Sequence, residues 1–189
     1  MKVYFTASMF GRDKYLDNYK KIVAKLRAMD IDVYEETIDV SKEYVYEEIA
    51  DEEKVAYYRK ILRWINEVDI VVVEASAQSL SIGHEITLAL ERNKPVIVLY
   101  SEGRAPHFLV GVKSDKLLIE KYVLDDLNKT LKGAIEYASE QQDTRFNFFI
   151  SPKHQNFLDW VSKTKKIPRA VYLRRLIEKK MKEEKGYKE

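Results

Sequence analysis

Apolar residues along the first 140 positions arrive in two rhythms, short solid runs and longer stretches with an apolar residue every three or four positions. Residues 2–6 read as a short buried strand, followed by a polar turn over 7–14. Tyr15, Tyr19, Ile22, Val23 and Leu26 then share one helical face, with Lys20, Lys21, Lys25 and Arg27 turned outward. Residues 31–35 alternate like a second strand. After a loop over 36–45, Ile49, Val55, Tyr58, Ile61, Leu62 and Ile65 predict a helix over about 46–66. Asp69 introduces the most β-like run, 70–74. The pattern continues with a polar loop to Gly83, a helix over 84–92, a strand over 95–100, a weak strand over 117–123 and a helix over about 125–139. Such alternation predicts an open, mostly parallel sheet with helices on both faces.

That architecture is the doubly wound α/β class, flavodoxin-like or Rossmann-like, and it occupies residues 1–140. The polar run 139–143 is a linker candidate, and beyond it the pattern changes. Residues 145–151 predict a strand, Pro152 opens a helix at its first position, Lys165, Lys166 and Ile167 interrupt it, and a second helix opens at Pro168. Residues 144–189 thus form a small strand-helix-helix module. About 45 residues bury too little apolar surface alone, so the module is expected to dimerise or to pack on the body.

Composition narrows the function classes. A chain of 189 residues with 34% charged and 46% hydrophobic residues has room for one catalytic core and a short appendage. No apolar run approaches the roughly 18 residues of a membrane helix, and strand-like sequence begins within two residues of Met1, so a cytoplasmic location with no membrane partner is expected. The absence of cysteine and the spacing of the three histidines predict no structural metal site. Charge is partitioned: residues 144–189 hold 13 Lys/Arg against 5 Asp/Glu, while the body holds 20 against 26. A basic tail on an acidic body raises nucleic acid as a partner of the tail.

Ligands of open parallel sheets sit beyond the carboxyl ends of the strands. The turns there hold Thr6-Ala7-Ser8-Met9-Phe10-Gly11-Arg12 and, after the 70–74 strand, Ala75 to Glu85. The second ends at a helix N-terminus, a favourable place for an anion such as phosphate. Glu85 falls in the first turn of the predicted helix, where a carboxylate also serves as an ordinary cap. Residue chemistry alone supports an α/β domain with an anion site.

The spaced set Val3-Tyr4-Phe5 with Ser8, Asp69-Ile-Val-Val-Val-Glu74, and Ser79 with Gly83-His84-Glu85 resembles the nucleoside 2-deoxyribosyltransferase superfamily over about residues 1–123. The resemblance implies Glu85 as the nucleophile that attacks the anomeric carbon, Asp69 as the group assisting protonation of the departing base, and Tyr4 as the residue orienting Glu85. It implies substrate contacts from Ser8, Ser79 and Gly83, and a homodimer or higher oligomer with a shared site in which His107 completes a neighbour's phosphate pocket. Superfamily members with Ser six positions before the nucleophile resemble 2′-deoxynucleoside 5′-monophosphate hydrolases, and Ser79 stands there. Base exchange between deoxynucleosides, and nucleotide sensing coupled to DNA binding, are the alternatives. Ser81, His84 and Phe10 depart from the hydrolase pattern, which commonly has Gly, Tyr and Arg.

Residues 145–183 resemble a ribbon-helix-helix module, which implies a strand ribbon reading DNA through Arg145 and Asn147. Lys166 and Pro168 depart from that family's usual Gly and hydroxyl N-cap. Oligomerisation through the strand is the equal alternative.

Overall fold

Valine, isoleucine and tyrosine dominate the runs that become strands, because branched and aromatic side chains fit a pleated, covered surface. In the computed structural model, which describes residues 1–38, 50–141, 148–184 and 186, the strands are β1 (Lys2–Ala7), β2 (Asp32–Tyr34), β3 (Ile70–Glu74), β4 (Val96–Tyr100) and β5 (Leu117–Lys121). They form one sheet in the order β2-β1-β3-β4-β5, and every pairing is parallel. The doubly wound sheet expected from the alternation is therefore present. The central strand β3 is buried along its whole length, as a parallel strand covered on both faces must be.

The helices of this unit are α1 (Arg12–Arg27), α2 (Asp51–Glu67), α3 (Leu80–Glu91), the short α4 (His107–Val110) and α5 (Leu127–Glu140). Side-chain alternation along the strands sorts the core into two layers. Val3, Phe5, Val72, Ile97 and Leu99 pack with Tyr19, Ile22 and Leu26 of α1 and Leu127 and Leu131 of α5. Tyr4, Val71, Val73 and Val98 face the other way, toward Ile61 and Ile65 of α2 and Ile82 and Ile86 of α3.

Two boundaries differ from the sequence expectation. Helix α3 begins four residues earlier than the predicted 84–92, because Ser79 adopts an extended conformation and its hydroxyl accepts the Ile82 N–H at 3.3 Å, as an N-cap does. The apolar pattern hid this first turn, since Leu80 points into solvent at 92% exposure. Helix α2 starts at Asp51 with three acids in its first turn, and the predicted stretch 46–49 lies outside the described residues. The short α4 between β4 and β5 has no counterpart in the sequence reading.

The chain divides into two units, residues 1–144 and 145–189. In the second, α6 (Pro152–Lys165) and α7 (Arg169–Glu183) are joined by a tight turn. Ser151 caps α6, with Pro152 in its first turn, and Lys166 ends it in the left-handed conformation at φ 53°. Phe157 lies 6.2 Å from Trp160 and 6.0 Å from Tyr172, ring centre to ring centre. The predicted strand over 145–151 is not formed where it can be followed: residues 148–150 have no regular structure. Arg145 and Asn147 lie outside the described residues.

Candidate active site

With the order β2-β1-β3-β4-β5, connections diverge on either side of β1 and β3, and the crevice beyond their carboxyl ends is the topological switch point. The loops after β1 and β3 meet there closely. A Cβ placed on Gly11 would come within 2.5 Å of the Ala77 Cβ and of the Tyr19 hydroxyl, so only glycine lets the two loops approach to this distance.

Glu85 projects into this region from the second turn of α3. It is not a capping residue, because Ser79 holds the N-cap and the first turn contains no acid. Its side chain is 9% exposed, and the buried Tyr4 hydroxyl of β1 donates to its Oε2 at 2.9 Å. Thr6, two residues along the same strand face, adds a second hydroxyl. Burial pushes the Glu85 carboxyl above its ordinary value, while Tyr4, Thr6 and the neighbouring His84 pull it partway back. Burial, reinforced by the Glu85 charge, drives Tyr4 well above the usual phenol range, so Tyr4 remains a donor. A desolvated, oriented carboxylate of this kind is suited to attack on an electrophilic carbon.

Ser8, immediately after β1, is 1% exposed, and its hydroxyl has no hydrogen-bond partner among the described residues. Buried hydroxyls are normally paired, so an open one at a switch point is available to a ligand. Ser79 accepts the Ile82 N–H and still has its own proton to donate. Gly83 lies near the start of α3, and a Cβ there would meet nothing within 4 Å, leaving space over the helix.

Asp69 does not join this group. It precedes β3, and its carboxylate accepts the Lys2 backbone N–H at 2.7 Å while its own N–H donates to the Lys2 carbonyl. That is the amino end of the sheet, the full length of β3 from the switch point, roughly 17 Å at the rise of a parallel strand. The role beside Glu85 that the resemblance implied for Asp69 finds no contact here: among the described residues its carboxylate is engaged by the Lys2 backbone, and it is not among the groups acting on Glu85. His107 is exposed at the start of α4 and has no hydrogen bond to another site residue among the described ones. Glu74, at the end of β3, points to the opposite face of the sheet, where Ser76 and Tyr122 hold its buried carboxyl.

Several neighbours escaped the sequence reading. Thr6 follows from Tyr4 by strand alternation. Trp64 of α2 packs 5.7 Å from the Tyr4 ring, and Tyr58 of α2 stacks on His84 at 6.1 Å with 18° between ring planes. Helical periodicity marked Tyr58 as core, yet it is exposed.

No family model matches the chain. Its fold is similar to that of the CMP N-glycosidase BcmB of Clostridium botulinum, with a TM-score of 0.50 over 70% of this chain and 99% of that one at 14% identity. In sequence, 103 residues are 32% identical to a protein of Syntrophotalea carbinolica with the provisional name 2′-deoxynucleoside 5′-phosphate N-hydrolase 1, spanning 54% of this chain and 70% of that protein. A protein of Thermofilum pendens with the same provisional name is 36% identical over 103 residues, 52% of this chain and 67% of its own. The 5-hydroxymethyl-dUMP N-hydrolase of Tetraodon nigroviridis is 26% identical over 136 residues, 70% and 95% of the two chains. An open parallel sheet with these relatives defines an enzyme of the N-hydrolase class. The chain belongs to the 2′-deoxynucleoside 5′-phosphate N-hydrolase family.

Proposed function

We propose that this protein hydrolyses the N-glycosidic bond of 2′-deoxynucleoside 5′-monophosphates, with Glu85 as the nucleophile. The observation that carries the reading is the buried Glu85 carboxylate held by the Tyr4 hydroxyl at the switch point. Departure of a nucleobase leaves an oxocarbenium-like centre, which such a carboxylate stabilises and then traps as a covalent deoxyribosyl ester. Water releases the sugar phosphate in a second step, and the chemistry calls for no cofactor. The three sequence relatives named above carry names of deoxynucleoside monophosphate N-hydrolases, and Ser8, Ser79 and the N-terminal N–H groups of α3 are suited to receive a 5′-phosphate. The open space over Gly83 leaves room beside them.

A homodimer fits the same end of the molecule. Phe10, Leu80, Phe108 and Val110 are exposed on the loops and helices that follow β1, β3 and β4, an apolar set that a second copy would cover. His107 begins the helix carrying Phe108, which suits it to a neighbour's phosphate pocket. For residues 145–189, the basic charge supports nucleic-acid binding, and the small apolar surface of so short a unit supports self-association.

Incubation of purified protein with the four deoxynucleoside monophosphates, followed by chromatography of the free base, tests the reaction. Base release absent from a Glu85→Ala control is the expected result. Appearance of a new nucleoside when an acceptor base is added to a deoxynucleoside would instead support base exchange. Tight nucleotide binding without turnover, coupled to altered DNA affinity, would support a sensor.

A further inference from the structure

Cleavage of a glycosidic bond by a carboxylate nucleophile needs a second group that protonates the leaving base and later takes a proton from water. Neither other carboxylate of the central strand region stands near Glu85. Asp69 is tied to the Lys2 backbone at the amino end of the sheet, and Glu74 is held by Ser76 and Tyr122 on the opposite face. Tyr4 already donates to Glu85 and is buried.

His84 is differently placed. It adjoins Glu85 on α3, near enough for its charge to act on that carboxyl, and it is exposed on the open side of the helix. The ring of Tyr58 of α2 stands nearly parallel to it, with centroids 6.1 Å apart and 18° between planes, an offset stack that favours one orientation of the imidazole. Neither ring nitrogen has a hydrogen-bond partner among the described residues, so both are available to a substrate. An imidazole is the side chain that gives and takes a proton most readily near neutral pH.

We propose that His84, oriented by Tyr58, is the proton donor to the departing base and the proton acceptor for the attacking water. This assignment rests on the hydrolase reading above. In the first step the Glu85 carboxylate forms a bond to C1′, the C1′–N bond breaks, its electron pair goes to the base, and the imidazolium proton follows it. In the second step water adds to C1′ and gives a proton to the neutral imidazole. The bond from C1′ to the Glu85 oxygen breaks, which returns both residues to their starting states.

The test compares wild type, His84→Gln and Tyr58→Leu on the four deoxynucleoside monophosphates and on N7-methyl-dGMP, whose base is already cationic and leaves without a proton. His84→Gln is expected to lose about 10²-fold or more in kcat/KM on the ordinary nucleotides, the scale of general acid catalysis. It should lose less than about threefold on N7-methyl-dGMP, whose departure does not draw on that term. Tyr58→Leu should show the same substrate dependence with a smaller loss. Equal losses on both kinds of substrate, or no loss, overturn the assignment while leaving the hydrolase reading intact. Wild-type protein that frees base from none of the substrates removes the hydrolase reading and this proposal with it. Thermal melting of each variant separates a folding defect from a chemical one.

Discussion

The Tyr4 hydroxyl donates to Glu85 Oε2 at 2.9 Å, joining the first strand to a helix 81 residues further along the chain. The contact depends on two local features. Strand alternation turns Tyr4 and Thr6 to the face covered by α2 and α3, and the Ser79 cap starts α3 early enough to bring Glu85 into its second turn. Removing the Tyr4 donor leaves a buried carboxylate with less support. Since this hydrogen bond lowers the Glu85 pKa against the upward push of burial, Tyr4→Phe should raise it further. Activity that requires the ionised carboxylate would then fail at a higher pH. The acid limb of kcat/KM should lie above the ordinary carboxylate value of 4.5 in wild type and move upward in Tyr4→Phe. A loss of about ten- to a hundredfold at neutral pH follows from a hydrogen bond to a charged group. A pH–rate profile of both proteins checks the two effects together.

Glu85→Gln should separate activity from stability. Loss of the nucleophile is expected to lower kcat by on the order of 10⁴-fold or more. Stability should move the other way. The folded-state pKa of Glu85 is raised, so the wild-type fold is penalised as pH rises from the unfolded carboxyl value through the folded one, and the penalty persists above it. Glutamine keeps an acceptor for Tyr4 without the buried charge. Its melting temperature should exceed that of wild type at neutral pH, and the difference should vanish below the ordinary carboxyl range. Melting curves at pH 7 and at pH 4 or below decide it.

Much of this arrangement could be read from sequence, and the exceptions have physical causes. The βα alternation gave the sheet because buried parallel strands are solid apolar runs. Glu85, Tyr4 and Ser8 stood out in the sequence only as a spaced set, since singly each has an ordinary structural explanation. Leu80 concealed the start of α3, because an exposed leucine breaks the helical pattern that a buried one would continue. Asp69 was misread for a different reason. Its role was implied by the resemblance, whereas its position just before β3 puts it at the amino edge of an all-parallel sheet, opposite the crevice beyond the carboxyl ends. Tyr58 and Trp64 belong to a helix whose apolar positions looked like core, so their rings beside His84 and Tyr4 became apparent only with the packing of α2 against α3.

Gly83→Ala offers a second separation. Glycine inside a helix is less stable than alanine by about 0.5–1 kcal/mol, and an added Cβ at this position meets nothing within 4 Å. The substitution should therefore raise stability by roughly that amount. If the open space receives substrate, KM for the deoxynucleotide should rise at the same time. Unchanged KM in a stabilised variant would remove Gly83 from the binding surface.

Lys166→Gly probes the second unit. Lys166 ends α6 at φ 53° and ψ 33°, a left-handed conformation that brings a side chain's Cβ close to the following carbonyl oxygen and costs about 1–2 kcal/mol. Glycine avoids that contact but loses more backbone freedom on folding, about 0.5–1 kcal/mol. The net expectation is a gain of about 0.5–1 kcal/mol in the α6–α7 turn. Amides of both helices should then exchange with solvent about two- to fivefold more slowly, since local opening follows local free energy. Base release should not change, because Lys166 lies outside residues 1–144, the unit that contains Glu85, Tyr4 and Ser8. Faster exchange in the glycine variant would mean that the lysine side chain makes a compensating interaction at the turn.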